Sequence, residues 1–286
     1  MRHPPVIERS VLITGCSSGI GREAAMRLRT RGWRVFATAR KPADLDALRA
    51  AGFEAIELDL TSDESVARAF EQTLQAAGGR LGALVNNAGY GQPGAMEDLT
   101  RDALRRQFEA NFFGPLDLTR RCIPVFRRQG YGRIVNVSSV VGRLALPFLG
   151  AYSASKFALA AASAAMRMEL RGSGVAVSLV EPGPIETSFS DNAMAAGQAH
   201  MRPGISVFDR LYRDQIRQME TGAYRQSPFR RPPEAVATRI IHALESPRPR
   251  RRYRITLLAH LGAFMARFAP DGLLDFALAG RYPAGR

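Results

Sequence analysis

VLITGCSSGIG, residues 11–21, is a short apolar run that passes through glycines 15, 19 and 21 into a helix-forming stretch. The run reads as the first strand of a βαβ unit. The glycines permit a tight turn and a close backbone approach, and leave free N–H groups at a helix N-terminus, aimed at a diphosphate. A glycine triplet alone is weak, but its place after a first strand favours a dinucleotide over a plain turn.

The alternation continues outward. VLIT (11–14), WRVFAT (33–38), FEAIELDL (53–60), ALVNN (83–87), RIVNVSS (133–139) and VAVSLVE (175–181) read as strands, almost continuously apolar, as strands buried on both faces are. Helical stretches are expected near 20–31, 42–51, 62–77, 100–128 and 152–171. Strand alternating with helix implies right-handed crossovers and a parallel sheet covered on both sides. No repeat or low-complexity linker divides the chain. The expectation is one doubly wound α/β domain over 1–286, with a lid at 184–231, a C-terminal extension over 248–286, and RRYRIT as the seventh strand.

The second strand bears on the choice of dinucleotide. An NAD site carries an acid about twenty residues past the glycines to hold ribose hydroxyls. Here the residue nineteen past Gly21 is Arg40, followed by Lys41. A guanidinium suits a 2′-phosphate, to which Ser17 could add a hydroxyl, so NADP(H) is preferred with NAD(H) as the lesser alternative.

Forty side chains are Lys or Arg, yet the only lysines are Lys41 and Lys156. Lys156 lies four residues after Tyr152 in YSASK, on the same face of a helix. A free tyrosine, with a pKa of about 10, is a poor proton donor or acceptor near neutrality. A nearby ammonium favours phenolate, and lysine, unlike arginine, can pass a proton on. Ser139 ends the fifth strand and NNAG (86–89) the fourth, at the rim where doubly wound sheets bind ligands. Within the helical run around 101–126, Pro115 has no N–H for the carbonyl of Asn111, which would make a seat for water.

Taken together, TGCSSGIG, NNAG, Asn111, Ser139, YSASK and PGPIET resemble the short-chain dehydrogenase/reductase family, in order and spacing over residues 10 to 190. The wording is nearest its 17β-hydroxysteroid and retinol dehydrogenase-like branch. The resemblance implies a Rossmann sheet of seven parallel strands in the order 3-2-1-4-5-6-7, and hydride transfer on the B face of the nicotinamide. It implies that Tyr152 is the acid/base, Ser139 positions the substrate oxygen, Lys156 binds the nicotinamide ribose, and Asn111 holds a relay water. The cofactor would lie on Gly15, Ser17, Ser18, Gly19, Ile20 and Gly21, then Arg40, Asp59 and Leu60. It would continue along Asn87, Ala88 and Gly89 to Pro182, Gly183, Ile185 and Thr187.

The implied reaction interconverts a ketone or aldehyde and its alcohol. Substrate contacts are expected from Ser139, Tyr152, Leu146 and Phe189, with further apolar walls from Leu144, Phe148, Met194, Met201, Phe208, Tyr212 and Met219. These favour a small lipophilic substrate of steroid, retinoid or fatty-ketone type. The competing reading is a catalytically silent dinucleotide sensor or scaffold, against which the complete tetrad argues. The family analogy also implies a homodimer or homotetramer.

The formal net charge is +14 at pH 7, which raises nucleic acid and anionic membranes as partners. The charges are dispersed apart from five arginines within 248–254, and no nucleic-acid motif accompanies them, so no specific nucleic acid is expected. Cys16 and Cys122 lack metal-ligand spacing and read as reduced thiols of a cytoplasmic protein; no metal is expected, and no secretory signal is recognised. The segment 255–268 is too short to span a bilayer. It could lie on an anionic membrane surface, but packing on the sheet or on a second subunit is favoured.

Overall fold

The computed structural model of the chain describes residues 2–198, 206–221 and 229–279. Met201 lies outside these residues, as does the side chain of Met219. Seven strands form one parallel sheet in the order β3-β2-β1-β4-β5-β6-β7, as expected. They are β1 (Ser10–Ile13), β2 (Arg34–Ala39), β3 (Glu54–Glu57), β4 (Ala83–Asn86), β5 (Gly132–Val137), β6 (Val175–Glu181) and β7 (Arg252–Arg254).

The period-two alternation of each strand divides the core into two layers. Val11, Ile13, Val35, Ala37, Val85, Val135 and Val180 face one side. There they meet α1 (Gly19–Thr30), α2 (Pro42–Ala50) and α9 (Pro233–Glu245) through Leu28, Leu48 and Ile240. Leu12, Phe36, Ile56, Leu84, Ile134 and Val177 face the other. They are covered by α3 (Asp63–Ala76), α5 (Gly114–Gln129) and α6 (Gly150–Glu169) through Val66, Leu118, Phe126 and Met166.

The long helix expected around 101–126 is interrupted. α4 (Arg101–Phe108) passes into a π-turn, Glu109–Phe113, before α5 begins. There the Gly114 N–H donates to the carbonyl of Glu109, five residues back. The break is thus a π-bulge, not a simple proline kink. Gly114 is needed for a different reason: a Cβ there would come within 2.1 Å of the Leu60 carbonyl oxygen. The bulge can sit against the end of the third βα connection only because that side chain is absent.

Beyond β6, α7 (Phe189–Gln198) and α8 (Asp209–Glu220) form the described part of the expected lid. α10 (Leu257–Phe268) and α11 (Asp271–Ala279) follow β7. No described helix is long and apolar enough to cross a membrane.

Gly114→Ala should lower the unfolding free energy by ~1–3 kcal/mol, the usual cost of overpacking. Gly272→Ala, with nothing within 4 Å of the added carbon, should leave it unchanged. Denaturant unfolding compares the two; equal midpoints would show that the Gly114–Leu60 contact is not tight.

Candidate active site

The carboxyl ends of β1, β4, β5 and β6 converge on one rim. Gly15 and Gly19 have φ of +72° and +57°, where a side chain is strained. A Cβ on Gly15 would fall 2.9 Å from the Ala88 Cα, and one on Gly19 2.9 Å from the Thr187 methyl. The loop is therefore clasped between NNAG and the PGPIET turn. The Thr14 hydroxyl accepts from the N–H groups of Asn87 and Ala88, both at 2.9 Å.

Asn87 donates its side-chain amide to the carbonyls of Thr14, at 2.9 Å, and Gly15, at 3.1 Å. Its NH2 group thus pins the loop, leaving its carbonyl oxygen as the atom that can face a ribose. Ser18 caps α1 in extended conformation without a side-chain capping bond, and the first turn holds no acid. Its amides are free for an anion, so the loop fits a diphosphate.

Other expected cofactor contacts follow the rim. Ser17 is exposed, Ile20 packs against the core, and Arg40 and Lys41 are exposed at the end of β2. Asp59 accepts from the Thr61 N–H at 2.9 Å and the Thr61 hydroxyl at 2.8 Å, while Leu60 is buried. Pro182 accepts from the Val140 N–H at 2.9 Å. Gly183 lies so close to the Thr256 hydroxyl that a Cβ would meet it at 2.1 Å. The Ile185 carbonyl is occupied by Arg230 and the Thr187 N–H, at 2.9 and 3.0 Å.

α6 carries Tyr152 and Lys156 one turn apart, both buried. The Ser139 hydroxyl neighbours the Tyr152 phenol closely enough to lower its pKa. Ser139 caps the short 3-10 helix Val140–Gly142, accepting from the Val141 N–H at 3.3 Å. The Lys156 ammonium donates to the Val137 carbonyl at 2.9 Å.

Asn111, in the π-turn, is fully buried. Its side-chain Oδ1 accepts from the Tyr90 N–H at 3.0 Å. Its NH2 donates to the Tyr90 carbonyl at 2.9 Å and the Ser155 hydroxyl at 3.1 Å. Ser155 in turn donates to the Tyr152 carbonyl at 2.7 Å, tying the π-turn to α6. A Cβ on Gly89 would stand 2.8 Å from the Asn111 side-chain Oδ1 and 3.6 Å from the Lys156 ammonium. All four tetrad candidates thus share one wall.

The electrostatics differ from the expectation in one respect. Burial pushes the Tyr152 phenol up to about 12, only partly opposed by the neighbouring Ser139 hydroxyl. Burial also brings Lys156 down to about 8. The ammonium lies 5.9 Å from the phenol ring centre and is bonded to Val137, so desolvation dominates the phenol.

Phe189 lies against Tyr152 with ring centres 5.4 Å apart and planes tilted by 48°, and Leu146 is half-buried in the loop after Ser139. Several proposed walls instead pack on one another. Met194 and Tyr212 are buried with Ala95, and Phe148 and Phe208 lie against them. Tyr212 accepts from the Ala95 N–H at 2.8 Å and donates to Asp98. These side chains fasten α7 and α8 to the Ala95–Asp98 segment. The sequence reading missed Met96, which lies over the start of α6 against Gly150. It also missed the carbonyls of Val137 and Tyr90, because a backbone acceptor has no residue signature.

The model of the short chain dehydrogenase family matches residues 9–197. The chain is 41% identical over 277 residues to the uncharacterized oxidoreductase YbbO of Escherichia coli K12, with 96% of each covered. It is 36% identical to human retinol dehydrogenase 8, covering 84% of this chain and 79% of the relative. For human 17-beta-hydroxysteroid dehydrogenase type 1 the identity is 35%, with 86% and 77% covered. A short-chain dehydrogenase/reductase from Burkholderia phymatum, solved in complex with NAD, has a TM-score of 0.76 at 27% identity, with 96% of both chains covered. One from Burkholderia cenocepacia in complex with NADP has a TM-score of 0.73 at 26% identity, with 94% and 96% covered. With the family model spanning the glycine loop through the lid's first helix, this chain belongs to the short-chain dehydrogenase/reductase family and is an NAD(P)-dependent oxidoreductase.

Proposed function

We propose that the protein interconverts a lipophilic ketone or aldehyde and its alcohol, with NADP(H) preferred. The observation that carries the reading is the buried Tyr152–Ser139 hydroxyl pair with Lys156 one turn along the same helix. When bound, the dinucleotide supplies or accepts the hydride. Ser139 and Tyr152 hold the substrate oxygen, and Tyr152 gives it a proton in reduction or takes one in oxidation. With a pKa near 8, Lys156 can exchange a proton at working pH, and Asn111 steadies the wall behind it. Phe189 offers apolar surface beside the phenol, which supports a greasy substrate. The names of the retinol and steroid relatives are consistent with that class.

The exposed guanidinium of Arg40, in no ion pair among the described residues, supports recognition of a 2′-phosphate. Phe113, Phe157 and Met168 are 50%, 42% and 68% exposed on or beside α5 and α6, which supports a homodimer or homotetramer through those helices. Buried free thiols at Cys16 and Cys122 agree with a cytoplasmic protein.

Tyr152→Phe and Lys156→Ala should each reduce turnover of a lipophilic ketone by at least ~10²-fold, followed by reduced-nicotinamide absorbance. Near-normal turnover by Tyr152→Phe would remove the phenol from the chemistry. Arg40→Asp should weaken NADPH far more than NADH in a fluorescence titration; equal losses would refute the phosphate contact.

Burial also makes a pH prediction. Between about pH 8, the folded value, and 10.5, the ordinary one, the unfolded chain binds a lysine proton that the folded chain has released. Stability relative to Lys156→Met therefore rises with pH through that window. Above pH 10 the opposite trend from Tyr152 begins, since the folded chain keeps a phenol proton that the unfolded chain loses. Parallel curves for the two proteins between pH 8 and 10 would contradict the burial of a titrating ammonium.

A further inference from the structure

α10 has two opposed apolar faces. Ala259, Gly262 and Ala263 press against the body of the protein, so closely that a Cβ on Gly262 would meet the Val140 side chain at 2.9 Å. On the opposite side, Leu257, Leu261, Phe264 and Phe268 follow the i, i+4, i+7, i+11 spacing of a single helical stripe. They are 74%, 50%, 62% and 64% exposed. α11, next in the chain, exposes Leu273 and Phe276, at 56% and 79%, and buries no residue of its own. Six large apolar side chains on adjacent helices exceed the scattered exposure normal for a soluble surface.

The same helix borders a basic cavity of about 280 Å³, lined by Arg239, Arg250, Arg252, Tyr253, Arg254 and His260. No acid lines it. Arg252 and Arg254 share the buried Glu181 with Arg143, whereas Arg239 and Arg250 have no ion pair among the described residues. Arg248 and Arg251 extend the positive surface along the chain. Its field reaches Arg167, whose pKa burial lowers and the charges of Arg251 and Arg252 lower further. An apolar stripe beside unpaired arginines is complementary to a bilayer whose surface carries phosphate anions.

We propose that α10 and α11 dock the protein peripherally on an anionic phospholipid surface, with the Arg239/Arg250 cavity receiving lipid phosphates. The helices are too short to span, so docking is interfacial and reversible. The surface is distinct from the α5 and α6 helices proposed for self-association. It rests on the loop after Ser139, at the Val140 and Leu144 side chains. Binding follows from surface chemistry alone and is independent of whether the enzyme proves active on a lipophilic ketone.

The test is flotation of the full chain with phosphatidylcholine vesicles, with and without phosphatidylglycerol, alongside light scattering. The chain should float with the phosphatidylglycerol vesicles and fall off as salt is raised. L261D/F264D/F268D should lose binding to background without a change in oligomeric state. R239S/R250S should weaken it by at least about tenfold. Circular dichroism should show both variants folded. Failure of the full chain to float, or flotation of the triple-aspartate variant at the original level, would overturn the proposal. Equal binding to vesicles lacking phosphatidylglycerol would also overturn it. So would a drop in oligomeric state in the triple-aspartate variant, which would assign the face to a second copy of the chain.

Discussion

An ammonium withdrawn from water, with one carbonyl as its hydrogen-bond acceptor among the described residues, is the constraint around which the site is arranged. Lys156 is 5% exposed and donates to Val137. Burying a charge this way is costly unless the group loses its proton or gains partners. Here the cost appears as a pKa brought down to about 8. The phenol beside it meets the same pressure in the opposite sense, because its charged form is the deprotonated one. The wall thus favours a neutral phenol and an amine brought closer to releasing its proton. Positive charge and hydroxyls brought by a dinucleotide would shift both toward proton exchange.

The surrounding architecture keeps that wall in place. β5 delivers Ser139 and the Val137 carbonyl from one strand end, and α6 presents Tyr152 and Lys156 to them. The π-turn supplies Asn111 from a third direction and is locked to α6 through Ser155. Across the rim, Thr14 and Asn87 clasp the glycine loop so that the free amides of α1 face the same crevice. The interactions are short hydrogen bonds between strand ends and helix starts, where a parallel sheet leaves backbone groups available.

Much of this was readable from the sequence because it depends on local periodicity and spacing. Buried apolar runs located the strands, and the strand-to-helix turn at Gly15–Gly21 implied the anion site. Lys156, one of only two lysines in an arginine-rich chain, points to Tyr152 four residues before it. The direction of the Tyr152 pKa was not readable, since burial depends on what the remaining elements cover. Nor was the π-register at Glu109–Phe113, where Pro115 suggested an ordinary kink. Met194, Phe208 and Tyr212 were apolar enough to line a pocket, but composition cannot reveal that they choose one another and Ala95. The exposed stripe of α10 follows a visible spacing, yet the sequence alone cannot say which of its two apolar faces is covered.

The most direct measurement is a titration of the Tyr152 phenol by NMR on ring-labelled tyrosine, assigned with Tyr152→Phe, with and without oxidised dinucleotide. The account predicts a pKa above the ordinary 10 in the free protein, falling when the dinucleotide binds, with most of the fall lost in Lys156→Ala. A phenol that titrates normally in the free protein, or whose pKa is unmoved by the dinucleotide, would contradict it.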